Sequence, residues 1–97
     1  DALLAIWNPI PLYNGRNERP GGAWNGGRTP LVAAWSRDNG RTFSMPVALE
    51  TEEESGYCYV AIHCLKDAVL LAYCAGSAQD GMCLTRQRIR RIPYAAL

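Results

Sequence analysis

The sequence lacks a long apolar run and lacks an excess of charge of either sign. Its 97 residues contain ten Lys and Arg, nine Asp and Glu and one His, which gives a formal net charge of +1. The apolar runs are all shorter than the roughly 18–20 residues that span a bilayer. Phosphate binding needs a broad basic surface, which a nearly neutral chain does not supply. We therefore expect neither a membrane nor nucleic acid as a partner.

The four cysteines also lack the spacing of a zinc site. Cys58, Cys64, Cys74 and Cys83 form no CxxC pair, and His63 beside Cys64 has no matching second half. We expect no metal site and no cofactor, and we expect His63 to be a structural strand residue. The thiols are either buried in strands or joined by a cross-strand disulfide, which would need an oxidising compartment. The sequence leaves both interpretations, and the compartment, open.

Helical periodicity is missing as well, and short β-rich runs alternate with turn residues along the chain. This pattern predicts an all-β fold of antiparallel meander strands. Six strands are predicted in two groups of three: 3–7, 31–36 and 43–49, then 57–64, 68–74 and 82–92.

Two features outside these strands lead to further expectations. The chain begins with a strand-like run and has no starting Met, which favours a single partial domain cut from a longer protein. A stretch of about twenty residues, 11–30, is rich in Gly, Pro, Asn and Arg, and its length suggests a functional or partner-covered loop. The acidic run at 50–54 is expected to be a solvated connector.

The most distinctive stretch is SRDNGRTF at 36–43. Asn39 and Gly40 tolerate the positive φ angles of a tight turn, and the side chains of Ser36 and Asp38 can bond to nearby backbone amides. Apolar runs enter and leave the stretch. It therefore predicts a β-hairpin around a polar, self-bonded turn.

This spacing resembles the Asp box of sialidase-type β-propellers, which joins the third and fourth strands of a blade. The matching residues are Ser36, Asp38, Gly40, Thr42 and Phe43, although the final aromatic in the family is usually Trp. Because several propeller families contain Asp boxes, the box alone indicates an architecture and no activity.

The order of further segments resembles the C-terminal part of sialidase-like glycoside hydrolases. These segments are GRTPL at 27–31, the Asp box, the acidic run, GYCYVAI at 56–62, VLLAY at 69–73 and an Arg-rich terminal strand. The resemblance covers nearly the whole chain and is weakest over 1–26. It implies about two incomplete blades of a six-bladed β-propeller, with residues 1–50 in the first and 57–97 in the second.

In that family an Arg shortly before the last Asp box belongs to a triad that grips the substrate carboxylate, and Arg28 occupies this position. A guanidinium group can bind a carboxylate through two parallel hydrogen bonds and stays charged. The alternative is a loop Arg paired with an acid or with solvent. Arg16, Arg19 and Arg41 are nearby competitors for the role.

The family nucleophile is a Tyr that opens the next strand, usually followed by Ser, and Tyr57 followed by Cys58 matches this position. Such a Tyr attacks the anomeric carbon of the sugar. A phenol has a pKa near 10 and needs a neighbouring base, which in the family is a Glu from another blade. Tyr59 is the alternative nucleophile if the register slips by two residues. The alternative is that both tyrosines are simply aromatic strand residues.

The resemblance implies a fragment of an exo-sialidase that acts on a sialoside or related glycan. We expect it to be inactive alone, because the other triad arginines and the acid and base carboxylates would lie on other blades. One alternative is a non-enzymatic propeller that binds sugar or protein through the 11–30 loop and Trp24. Another is an oligomer in which copies of the chain complete each other's blades. Arg86, Arg88 and Arg90 are expected on one strand face, where they line the propeller surface or pair with acids such as those at 52–54.

Overall fold

The computed structural model describes residues 1–9 and 28–97. These residues form two antiparallel three-stranded sheets, and the all-β prediction is confirmed. The first sheet contains β1 (Leu3–Trp7), β2 (Leu31–Ser36) and β3 (Val47–Glu50). The second contains β4 (Cys58–Cys64), β5 (Ala68–Cys74) and β6 (Gln87–Pro93). In each sheet the strand order in space follows the order in the chain, as in a meander.

Short 3-10 helices occupy Ala78–Asp80, Cys83–Thr85 and Tyr94–Ala96. None of the helices in the described part of the chain is long and apolar enough to cross a membrane. The segment predicted as strand 82–92 contains the helical turn Cys83–Thr85, and its strand, β6, begins only at Gln87. The Thr85 hydroxyl donates to the Met82 carbonyl at 2.8 Å, so this segment bonds to itself before it joins the sheet.

The strand predicted at 43–49 is also shorter than expected, since β3 begins at Val47. Pro46 lacks the backbone N–H that a ladder needs. Before Pro46, Ser44 still bonds to β2, because its N–H donates to the Trp35 carbonyl at 2.8 Å and its hydroxyl accepts from the Trp35 N–H at 3.0 Å. The hairpin is present, with a ladder interrupted at the proline.

The core lies between the two sheets and is dominated by β5. Alternate residues of β5, namely Val69, Leu71 and Tyr73, are fully buried, as the period-2 geometry of a strand requires. Leu31 of β2 belongs to the same cluster, and apolar residues of β1 pack against it. The central strand of the second sheet therefore supplies much of the apolar surface that holds the sheets together.

Charged side chains join the sheets at one end of this core. The Tyr73 hydroxyl donates to the Glu50 carboxylate, and Arg88 Nη1 lies 2.7 Å from Glu50 Oε2. Arg90 donates to the Leu49 carbonyl at 2.8 Å and lies 3.7 Å from the Glu50 carboxylate. We call Glu50, Tyr73, Arg88 and Arg90 the Glu50 cluster.

The pairing predicted for the terminal arginines with the acids at 52–54 is wrong. Arg88 and Arg90 project towards the first sheet, where β3 ends at Glu50. Arg86 precedes β6 and instead pairs with Asp80 of the adjoining turn, with Nη2 2.9 Å from Oδ1. The difference arises because each arginine meets the carboxylate nearest to its own strand or turn.

Gly76 is where the loop after β5 approaches the 83–85 turn most closely. A Cβ atom at Gly76 would overlap the Met82 carbonyl oxygen and lie 2.8 Å from Cys83 Cα. We expect Gly76→Ala to lower the free energy of unfolding by about 3 kcal/mol, because backbone atoms must move to make room. Urea denaturation would measure the change.

Gly81→Ala is the matched control for this substitution. Gly81 has a φ of +84° and open space around its missing Cβ, so Ala there is strained without a clash. A cost of about 1 kcal/mol is expected. Equal destabilisation by the two substitutions would contradict the steric role of Gly76.

Candidate functional site

The 36–43 turn is held by its own side chains, which confirms the predicted self-bonded hairpin. Ser36 Oγ donates to Asp38 Oδ1 at 2.9 Å and accepts from the Gly40 N–H at 2.7 Å. Asp38 accepts from the Thr42 N–H at 2.9 Å and from the Thr42 hydroxyl at 2.6 Å. Asn39 and Gly40 have φ angles of 61° and 85°, which the turn sequence favours.

The turn is built for structure and exposes no reactive group. Hydrogen bonds from Thr42 lower the pKa of Asp38 to about 2, so this carboxylate is stabilised as an acceptor and is a poor proton donor. Phe43, the last residue of the Asp-box pattern, is about half exposed at 48%. The turn therefore positions β2 and β3, and we look for binding or catalytic side chains elsewhere in the structure.

Arg28 lies just before β2, against the first residues of β4. Its Nη1 donates to Cys58 Sγ at 3.1 Å, and its guanidinium carbon lies 5.0 Å from the centroid of the Tyr59 ring. The Tyr59 side chain and then Cys58 raise the pKa of Arg28 above its usual value, so the group stays charged. Arg28, Cys58 and Tyr59 form a cluster that we call the Arg28 site.

The main chain on both sides of Arg28 is fixed. The Arg28 carbonyl accepts from the Tyr57 N–H at 2.7 Å. The buried hydroxyl of Thr29 donates to the Glu52 carbonyl at 2.9 Å, which ties the acidic run to this segment. Tertiary bonds therefore hold the Arg28 backbone, although the residue lies outside any strand.

Tyr57 and Tyr59 occupy opposite environments. Tyr57 is 1% exposed and packs edge-to-face on Tyr73, with ring centroids 6.3 Å apart. Its burial raises the pKa of its hydroxyl, the reverse of what activates a phenol as a nucleophile. Tyr59 is 67% exposed and has a φ of +57°, next to a pairing irregularity between Cys58 and Ala61. This irregularity turns the Tyr59 ring outward over Arg28.

The structure thus brings Arg28 together with Tyr59, while the Tyr57 ring faces the core. The role of Tyr57 as a nucleophile stays a prediction. Arg41, a competitor of Arg28, lies in the exposed Asp-box turn. Arg16, Arg19, Trp24 and the rest of the long loop as far as residue 27 lie outside the described residues.

Sequence reasoning missed two contacts that shape these sites. Cys58 was noted only as a replacement for Ser, yet its sulfur accepts a hydrogen bond from Arg28. Glu50 was included in an acidic surface run, yet it bonds to Tyr73 and Arg88. The signal available for Glu50 was its position directly after the apolar run 47–49, which marks a strand end.

All four cysteines are free thiols. Residues 1–9 and 28–97 contain no group of three or more His, Cys, Asp or Glu side chains that could hold a metal ion. Comparisons with models of protein families, with curated proteins and with solved structures found no match.

Proposed function

We propose that the Arg28 site binds the carboxylate of an acidic sugar, as part of a sialidase-like glycoside hydrolase of β-propeller architecture. The class of substrate is a sialoside or a related glycan. The proposal combines the order of sequence motifs around the Asp box with one observation, the placement of the Arg28 guanidinium against the exposed ring of Tyr59.

The chemistry of the cluster suits this ligand. Arg presents five N–H donors in a planar fork. Among the described residues, Cys58 Sγ accepts one of the Arg28 donors, and the Tyr59 ring lies against the guanidinium. A carboxylate can therefore take two parallel hydrogen bonds. The exposed face of Tyr59 offers an apolar surface on which a sugar ring can pack.

Binding without hydrolysis is the expected behaviour of this chain. A Tyr nucleophile needs a base within hydrogen-bond reach. Tyr59 lies against the Arg28 guanidinium, which is a cation and not a base, and the Glu50 carboxylate is engaged by Tyr73. The remaining arginines and carboxylates of a hydrolytic site would have to come from other strands.

Titration with an α-methyl sialoside, followed by NMR or calorimetry, tests the proposal, with methyl galactoside as the neutral control. We expect binding of the acidic sugar only. Arg28→Ala should weaken it at least about tenfold, which corresponds to about 1.4 kcal/mol. The affinity of Arg28→Lys should lie between those of the native chain and of Arg28→Ala, because Lys keeps the charge but cannot form two parallel hydrogen bonds.

Tyr59→Ala and Tyr57→Phe form the matched pair for the aromatic contact. Tyr59→Ala should weaken binding, whereas Tyr57→Phe should leave it unchanged because that hydroxyl is buried. Equal affinity for the neutral sugar, or no effect of Arg28→Ala, would refute the binding site. Turnover of a fluorogenic sialoside that Tyr57→Phe abolishes would refute the expected inactivity.

A second candidate function is self-association through β4. Within the described sheets β4 is an outer strand, and it exposes Ile62 at 45% while Leu65, just after it, is 37% exposed. The other outer strand of this sheet, β6, carries three arginines, which discourage edge pairing. A second copy adding to β4 in antiparallel fashion would cover the exposed apolar side chains.

Light scattering over a range of protein concentrations tests this candidate. We expect a dimer that Ile62→Lys converts to a monomer, because a charge would have to enter the new sheet. Ile89→Lys is the control, since Ile89 is 71% exposed on β6 at the opposite edge. A monomer at every concentration would exclude the self-association.

A further inference from the structure

Two of the free thiols lie on residues that face each other across neighbouring strands. Cys58 begins β4, Cys74 ends β5, and the antiparallel register pairs them directly. Residues opposite each other in an antiparallel pair have Cα atoms about 4.5–5.5 Å apart. A disulfide needs a Cα separation of about 4.4–6.8 Å. The backbone therefore already holds the two residues at a distance that a disulfide spans.

The surroundings of the cysteines distinguish this pair from the other combinations. Cys64 lies at the far end of β4, opposite Val69, and is exposed. Cys83 is buried in the 83–85 turn and has no strand partner. Cys74 is only half-buried, whereas Cys58 is buried beneath Arg28. Within the Cys58–Cys74 pair, a small reagent thus reaches Cys74 before Cys58, and Cys58 lies directly opposite Cys74 in the ladder.

We propose that Cys58 and Cys74 are a redox-sensitive pair that closes to a disulfide when the chain meets a small-molecule disulfide such as oxidised glutathione. The Cys74 thiolate attacks one sulfur of the glutathione disulfide, and the first glutathione leaves as a thiolate. The Cys58 thiolate then attacks the Cys74 sulfur and releases the second glutathione. Two protein thiols are oxidised, one glutathione disulfide is reduced, and the two protons end on the two glutathione thiols.

The electrostatics of Cys58 make the second step the slower one. Burial raises the pKa of Cys58 to about 11, and the Arg28 guanidinium acts in the opposite direction by stabilising the thiolate. The mixed disulfide on Cys74 is therefore expected to accumulate before the bond closes. Arg28→Ala should slow closure several-fold, because it removes the charge that favours the attacking thiolate.

Closure also affects the Arg28 site. In the reduced chain Cys58 Sγ accepts a hydrogen bond from Arg28 at 3.1 Å. A sulfur bonded to Cys74 is drawn towards β5 and is a weaker acceptor, so the guanidinium loses one of its two contacts. Oxidation should increase the reactivity of Arg28 towards phenylglyoxal. A change in sugar affinity on oxidation rests on the proposed function. The disulfide itself is detected by mass spectrometry with no sugar present, so the two outcomes are separate.

The test is to incubate the folded chain in glutathione buffers of increasing oxidation, block the remaining thiols with N-ethylmaleimide and map the peptides by mass spectrometry. Trypsin places Cys58 with Cys64 on peptide 42–66 and Cys74 with Cys83 on peptide 67–86. The variant with Cys64→Ser and Cys83→Ala makes any link between these peptides unambiguous. Circular dichroism checks that the variant folds.

The native chain gives the same assignment independently of that variant. Chymotryptic cleavage after Tyr59 separates Cys58 from Cys64, and cyanogen bromide cleavage at Met82 separates Cys74 from Cys83. We expect a Cys58–Cys74 link that the reducing buffer reverses and that Cys74→Ser abolishes. A Cys74–Cys83 link instead, or a link formed only in urea and never in the folded chain, would overturn the proposal.

Discussion

Replacing Glu50 by Ala is expected to lower the free energy of unfolding by about 1–3 kcal/mol, the cost of leaving a buried hydrogen-bond donor without its acceptor. Glu50 accepts from the buried Tyr73 hydroxyl and from Arg88 at 2.7 Å, with Arg90 at 3.7 Å. Without the carboxylate, the Tyr73 hydroxyl loses its acceptor, and Arg88 and Arg90 of β6 lose the negative charge at the end of β3. The two sheets lose the polar contact that joins them at this end.

Urea denaturation of variants at the two ends of the acidic run measures this effect. Glu52→Ala is the matched control, since the Glu52 backbone carbonyl accepts from Thr29 and Ala retains that carbonyl. A change within about 0.5 kcal/mol is expected. The loss of stability in Glu50→Gln should lie between those of the two Ala variants. The amide oxygen can still accept from Tyr73, but it carries no charge to form an ion pair with the arginines. Similar values for Glu50→Ala and Glu52→Ala would contradict the cluster's role.

The parts of the fold that depend on neighbouring residues could be predicted from the sequence. Each of the six predicted strands has a counterpart in the structure, and β5 buries Val69, Leu71 and Tyr73 on one face, as the two-residue period of a strand requires. The 36–43 turn is determined by the bonding of Ser36 and Asp38 to groups within four residues. Such features are readable because their causes lie within one stretch of chain.

The features that depend on distant residues could not be predicted in this way. Arg88 meets Glu50 across 38 positions of sequence, and the pairing follows from how the two sheets pack. The Tyr59 ring turns outward because the pairing of β4 with β5 is irregular between Cys58 and Ala61. No local sequence pattern predicts this irregularity. Tyr57 and Tyr59 are two residues apart, so a regular strand would place them on the same face, yet one is buried and the other exposed.

The same distinction applies to the candidate site. The motif order selected Arg28 and either Tyr57 or Tyr59, and only the fold shows which ring lies against the guanidinium. The proposal that Arg28 and Tyr59 bind a sugar therefore rests on tertiary geometry as well as on the resemblance. A hydrolytic role for Tyr57 would require its hydroxyl to leave the core, where it now packs on Tyr73.

Raising the pH above 10 is expected to remove the stability that the neutral Tyr73 hydroxyl provides. Burial, and then the hydrogen bond to Glu50, raises the pKa of Tyr73 from about 10 to about 12. Because the folded chain holds this proton more tightly than the unfolded chain, the contribution is complete below pH 10 and is lost as the pH rises through 12. The loss is expected to be about 1.5–3 kcal/mol, the usual contribution of a hydrogen bond to a charged group.

Urea denaturation between pH 8 and pH 11.5, in the presence of a reducing agent, follows this loss. Tyr73→Phe is the control, since it keeps the ring in the core and removes the ionisable hydroxyl. The variant should be less stable at pH 8, because Glu50 loses a donor, and its stability should fall less steeply with pH. Every other side chain is the same in the two proteins, so the difference between the two slopes belongs to Tyr73. Parallel slopes would show that the Tyr73 proton is not held by Glu50 in the folded chain.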